Sequence, residues 1–251
     1  MDLFESINRT IKYSKKYGGQ LTEQQLYERL IGDKVYTREE IKTLRLDIHR
    51  DTFLNSEALI KIKKAEELAK KIEEEFKDIL FLGITGSVAA EYPKKNDDID
   101  LIIITRVNKL WLTRLKLRIF ITINKIPHRK FGKKEKKNDF CFNLWLDEKS
   151  LKLKKEKQYL KNAVDLILVK PLINREKTYE RFILMNSWAK KYVATGYSLK
   201  STLPSLEKGG VKNNIFFDRV INWLVFWPQF LYMKRRIKNE KVGPHEAFFH
   251  H

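Results

Sequence analysis

The sequence predicts an α+β fold in which a few strands are set among more numerous helices. Two apolar runs, residues 79–84 and 101–104, are each bounded by turn or acidic residues and are too short for helices. A third segment, DFCFNLWLD at 139–147, mixes β-branched-poor but aromatic strand residues with polar ones. Elsewhere the spacing of apolar residues is helical and helix starts are well signalled.

The N-terminal fifty residues read as three short helices. The first covers about residues 3–17. Thr22-Glu-Gln-Gln25 and Thr37-Arg-Glu-Glu40 each fit a capping box, and Leu21 with Leu26 and Tyr36 with Ile41 fit hydrophobic staples. Two such starts fifteen residues apart resemble a helix-turn-helix or winged-helix module, which we place at 1–52. One reading is nucleic-acid binding, with Arg38, Lys42 and Arg45 on the recognition helix. The other is a helical cap on the rest of the chain. Residues 56–77 form one strong helix, with Ser56 as N-cap and Leu59, Ile62, Leu68, Ala69, Ile72 and Phe76 as its inner stripe.

The stretch 81–105, FLGITGSVAAEYPKKNDDIDLIIIT, organises the middle of the chain. An apolar strand ends at Gly86-Ser87, ten residues follow, and Asp98-Ile99-Asp100 opens the next strand. Strand side chains alternate, so Asp98 and Asp100 share a face, roughly 6.5 Å apart along the backbone. Two carboxylates beside a small-residue turn suit a divalent metal holding a nucleoside triphosphate. The alternative is a pair of ordinary loop acids at a strand entrance.

A basic helix follows Thr105, in which Arg106, Lys109, Arg114 and Arg118 could reach phosphates or stand as a solvated face. PHRKFGKKEKK at 127–137 is a very basic connector, or an RNA-contacting loop. In the third strand Asp139, Asn143 and Asp147 fall on one face by period-two counting, roughly 13 Å apart at adjacent steps of four. Residues 157–173 read as a helix and a short apolar stretch, closing a domain at 53–175. From Thr178 onward, in a region 176–251, the chain reads as all-helical, with a Gly-, Ser- and Lys-rich linker at 194–214. The last helix, 216–238, is very apolar and would serve as core, as an oligomer contact between copies of the chain, or as a membrane-surface element with Trp223, Trp227 and Tyr232 as anchors. The closely spaced His245, His250 and His251 are further candidate ligands.

With 251 residues, 43% of them hydrophobic, a sizeable core is expected. The net charge of +19 favours polyanionic partners such as nucleotides or nucleic acid, although lysine is spread along the whole chain among glutamates. Cys141 is the lone cysteine, which excludes an internal disulfide and a cysteine-rich zinc site. No secretory signal and no membrane span are expected, so the protein is read as cytoplasmic.

The pattern of apolar residue, Gly86-Ser87, ten residues and Asp98-x-Asp100 between apolar residues resembles the nucleotidyltransferase superfamily that includes DNA polymerase beta. Segments LWLTR (110–114), CFNLWL (141–146) and AFFH (247–250) resemble a bacterial and archaeal subgroup of it. The resemblance implies a small mixed sheet with helices on one face, flanked by helical modules. It further implies that Gly86 and Ser87 hold the phosphates of a nucleoside triphosphate such as ATP, with Arg114 beside them. Asp98 and Asp100 would bind Mg²⁺ or Mn²⁺, and a nucleoside monophosphate would pass to an acceptor hydroxyl, RNA being one candidate, with release of pyrophosphate. Active members supply a third carboxylate from the third strand. Here that position aligns with Asn143, whose amide can coordinate a metal but cannot act as a base. A catalytically silent nucleotide- or nucleic-acid-binding relative is therefore the alternative.

Overall fold

The two most apolar runs of the chain become neighbouring central strands of one mixed sheet. A computed structural model describes residues 1–44, 55–129, 136–202, 215–235, 237 and 241–249. In chain order its elements are α1 (Leu3–Lys16), α2 (Glu23–Glu28), α3 (Arg38–Thr43), α4 (Ser56–Glu75), β1 (Ile79–Ile84), α5 (Gly86–Ala89), β2 (Ile99–Thr105), α6 (Leu110–Ile123) and β3 (Phe140–Asp147). They continue with α7 (Leu160–Leu168), β4 (Lys170–Asn174), α8 (Thr178–Met185), α9 (Lys190–Ser201), α10 (Ile215–Lys234), β5 (Lys241–Val242) and β6 (Glu246–Phe248). The strand order is β4-β1-β2-β3-β6-β5, with β2 and β3 parallel and the other neighbours antiparallel.

Helices cover both faces of this sheet, not one face as expected. Ile84, Leu101 and Ile103 pack with Leu68, Trp111 and Phe226 from α4, α6 and α10. Phe81, Ile102 and Ile104 pack on the other face with Ile167, Phe182 and Val193 from α7, α8 and α9. The reason is in the strands themselves: every residue of β1 is buried, and a run apolar on both faces needs two covering layers.

Several helix signals are realised as read. Thr22 and Gln25, and Thr37 and Glu40, form reciprocal capping boxes. In α4 the cap is Asn55, whose side chain accepts from the Glu57 N–H at 3.0 Å, so Ser56 is the first helical residue. Of the expected inner stripe, Leu68, Ala69, Ile72 and Phe76 are buried and Ile62 packs against the core, while Leu59 is exposed and Ala58, Lys61 and Ala65 are buried in the first half of the helix. The C-terminal region is not all-helical, because β5 and β6 turn at Gly243-Pro244 and add a hairpin to β3. Nor is 194–201 part of a linker. It is the body of α9, and Gly196 lies where α9 crosses α2, so close that a Cβ there would stand 2.3 Å from the Glu28 carbonyl oxygen.

The N-terminal helices are packed onto the rest of the chain. Gly32 exchanges backbone hydrogen bonds with the kinked start of α9, donating to Tyr192 O at 2.7 Å and accepting from Ala194 N at 2.9 Å. Arg29 donates to the Ala90 carbonyl at 2.9 Å and pairs with Glu91 at 3.0 Å. Arg38 and Lys42 are exposed on α3, while Arg45 lies outside the described residues, as do 130–135 of the basic connector and both His250 and His251.

Candidate metal and phosphate site

The site is assembled where β1 ends and β2 and β3 begin. Ile99, Leu101 and Ile103 face the α4–α6–α10 layer, so Asp98 and Asp100 face the α7–α9 layer. Both carboxylates come together as expected, and the cross-strand neighbour of Asp100 on β3 is Cys141. Ligand atoms of Asp98, Asp100 and Cys141 all lie within 4.8 Å of one another, a group that could hold a metal ion. Asp98 is only 6% exposed.

The third strand is where counting by twos fails. The register runs Leu101 to Phe142 and then Ile102 to Leu144, so Asn143 is the extra residue of a β-bulge. Beyond it the faces exchange. Asn143 stays on the aspartate side, its Nδ2 at 3.4 Å from Asp100 Oδ1. Asp147 lies beside the far end of β2, opposite Thr105, and is removed from the pair of aspartates. It accepts from the Asn108 N–H at 3.0 Å, the Lys149 N–H at 2.9 Å and His245 Nδ1 at 2.6 Å, a fully buried structural carboxylate. His245 is thereby committed away from the aspartate site. Asp139 sits at the entrance of β3, where its carbonyl accepts from the Ile99 N–H at 2.9 Å. The described metal-ligand group takes its third member from Cys141, two residues before Asn143 and on the same face. That parity was readable in DFCFN, and the functional weight of the thiol was the part missed. Burial first, and then the charges of Asp100 and Asp98, push the Cys141 thiol far up, so it stands protonated.

Two cations were also missed. Backbone pairing of Pro127 and Arg129 with Phe140 carries the start of the basic connector along β3, and this brings Arg129 Nη1 to 3.2 Å from Asp98 Oδ2. Lys61 is fully buried in α4 and donates to the Asp97 carbonyl at 2.7 Å and to Asn138 Oδ1 at 2.9 Å. It ties together the two loops that deliver Asp98 and Cys141. Burial lowers its pKa.

Gly86 and Ser87 flank the carboxylates from β1. Gly86 has φ of +66°, and a Cβ there would stand 2.6 Å from Asp100 Oδ2. Ser87 Oγ donates to Asp97 Oδ2 at 2.9 Å, and the same oxygen accepts from the Lys94 N–H at 2.9 Å, which fixes the loop before Asp98. Gly86, Ser87 and Asp100 line a cavity of about 610 Å³, a size usual for small-ligand sites. Its remaining wall comes from α1 and α7, with Tyr13, Lys16 and Tyr17 on one side and Lys161 and Asp165 on the other; Arg29 and Lys94 add positive charge.

Arg114 is placed elsewhere. It lies in α6 on the opposite face of the sheet, 5% exposed, donating to Gln229 Oε1 of α10 at 2.6 Å and standing over the rings of Trp111 and Phe249. Burial, with Arg118 nearby, lowers its pKa to about 9, so it keeps its charge at neutral pH and serves as a structural cation between α6 and α10. Asn186 and Trp188 are likewise structural: Asn186 bridges Leu151 O and Leu153 N and accepts from Trp188 Nε1.

Comparison with protein-family models, with curated proteins and with solved structures gives no match to this chain.

Proposed function

We propose that the protein is a nucleotidyltransferase, moving a nucleoside monophosphate from a nucleoside triphosphate to an acceptor hydroxyl with release of pyrophosphate. The observation that carries this reading is the double membership of Asp100. It belongs to the Asp98–Asp100–Cys141 group and also lines the cation-rich cavity beside Gly86 and Ser87. A metal-ligand group and a cation-lined cavity of small-ligand size thus share one wall.

Two adjacent carboxylates fit Mg²⁺ or Mn²⁺, which take oxygen ligands; a thiol suits such hard ions poorly, so Asp98 and Asp100 would hold the ion. When bound, the ion offsets triphosphate charge. The chain's own groups supply the rest. Exposed Lys16 and Lys94 on the cavity wall attract and orient the phosphates, and Gly86 keeps the approach to Asp100 clear. In the transfer, the acceptor oxygen forms a bond to the α-phosphorus as the bond to the bridging oxygen breaks, and pyrophosphate departs. The proton of the attacking hydroxyl passes to water or to an aspartate, because Asn143 has no basic site and the Cys141 thiol already holds its proton. Positioning and charge carry most of the work in phosphoryl chemistry, so a dedicated base is not essential.

One observation favours a second reading, a silent nucleotide-binding relative: Cys141 and Asn143 stand where a third acid would complete the group. Labelled triphosphates incubated with Mg²⁺ or Mn²⁺ and with cellular RNA or protein separate the two. Transfer that disappears in Asp98→Asn and Asp100→Asn supports the enzyme. Metal-dependent binding without transfer supports the silent relative, and absence of both removes the site reading.

A further inference from the structure

Helix α10 leaves a largely apolar side uncovered. Its inner side buries Phe226 and Met233 in the core and also holds polar groups. Asp218 pairs with Lys109, Asn222 Oδ1 accepts from the Trp111 N–H at 2.8 Å, and Gln229 bridges Trp111 O and Arg114. Its outer side is apolar and bare: Phe216 is 77% exposed, Trp223 54%, Leu224 57% and Leu231 57%, with Phe217 and Trp227 also exposed. Neighbouring α6 adds Ile119 and Ile123, the latter 72% exposed. A helix apolar on its outer face is normally covered, and single scattered exposures do not explain a continuous one.

We propose that this face of α10 lies on an anionic lipid surface. Charge complementarity selects the occupant. Exposed Lys116, Arg219, Lys234 and Arg235 border the apolar residues. The one acid in α6 and α10 is Asp218, which is buried and paired with Lys109. A twofold pairing of two copies through this face would set these cations against one another. Negatively charged headgroups answer the basic border while the acyl boundary takes the aromatic and leucine side chains, with tryptophans and Tyr232 at the depth such rings favour. The helix lies on the surface and does not traverse it, since no helix among the described residues is long and apolar enough to cross a membrane. This placement is independent of whether the site on the other face of the sheet transfers nucleotides.

The test is co-sedimentation of the full chain with vesicles of phosphatidylcholine alone and with vesicles in which a third of the lipid is phosphatidylglycerol. Binding at least about tenfold tighter to the anionic vesicles, weakened by salt, is expected. Leu224→Glu with Leu231→Glu should abolish it, with an unchanged circular dichroism spectrum, and Lys234→Gln and Arg235→Gln should each weaken it about fivefold. Equal binding to both vesicles, or none to either, overturns the proposal; these outcomes are read on the unaltered protein and need no variant. Light scattering that shows a dimer split by Leu231→Glu also overturns it, in favour of a second copy on this face.

Discussion

At Gly86 the missing side chain is what leaves Asp100 its room. The left-handed φ of +66° and the 2.6 Å approach of a would-be Cβ to Asp100 Oδ2 act together. Gly86→Ala should cost about 1–3 kcal/mol of stability and remove metal-dependent nucleotide binding. Thermal denaturation and nucleotide titration read the two effects; full binding in the variant would take the turn out of the site. Cys141 poses the reverse case, a residue that withholds a charge. Cys141→Asp places a carboxylate directly across from Asp100. Without metal the variant should be less stable, because three acids then share a buried face, and added Mg²⁺ should raise its melting temperature more than it raises that of the unaltered protein. If lack of a third acid limits transfer, the labelled-nucleotide assay should also speed up. A melting temperature indifferent to Mg²⁺ in both proteins would mean that the group holds no such ion.

At the scale of elements, the local signals were legible in the sequence and the long-range ones were not. Capping boxes at Thr22 and Thr37, the strand at 79–84 and the shared face of Asp98 and Asp100 follow from spacing alone, because each depends on residues a few positions apart. The bulge at Asn143 depends on how β3 pairs with β2 and β6, including the Phe249 N–H that donates to Asn143 O at 3.0 Å. Period-two counting therefore carried Asp147 to the wrong face. Arg114 read as a phosphate ligand for a similar reason: nothing near it in sequence reveals Gln229, which lies on another helix. Gly196 read as linker because glycine marks loops, yet here it permits two helices to touch. Gly196→Ala forces its methyl group against the Glu28 backbone and should destabilise the chain by about 1–3 kcal/mol. Chemical denaturation measures this directly, and a neutral result would show that α2 and α9 separate without loss.

For the whole molecule, the consequence of that packing is that the N-terminal helices complete the candidate pocket. Gly86, Ser87 and Asp100 supply one wall from the sheet, whereas Tyr13, Lys16 and Tyr17 supply another from α1, more than sixty residues earlier in the chain. Tyr13 and Tyr17 form a tilted pair with ring centroids 5.0 Å apart, and Tyr17 remains about half exposed. If phosphates lie toward Asp100, the base of a nucleotide extends toward these rings. Stacking on an aromatic face is tolerant of base identity, so Tyr17→Ala should weaken ATP, GTP, CTP and UTP alike, by about tenfold. Inorganic tripolyphosphate, which has no base, should bind the variant and the unaltered protein equally. Calorimetric titration of both ligands into both proteins decides the matter: a loss shared by tripolyphosphate would assign α1 to the phosphates through Lys16, and no loss for either would place the base away from α1.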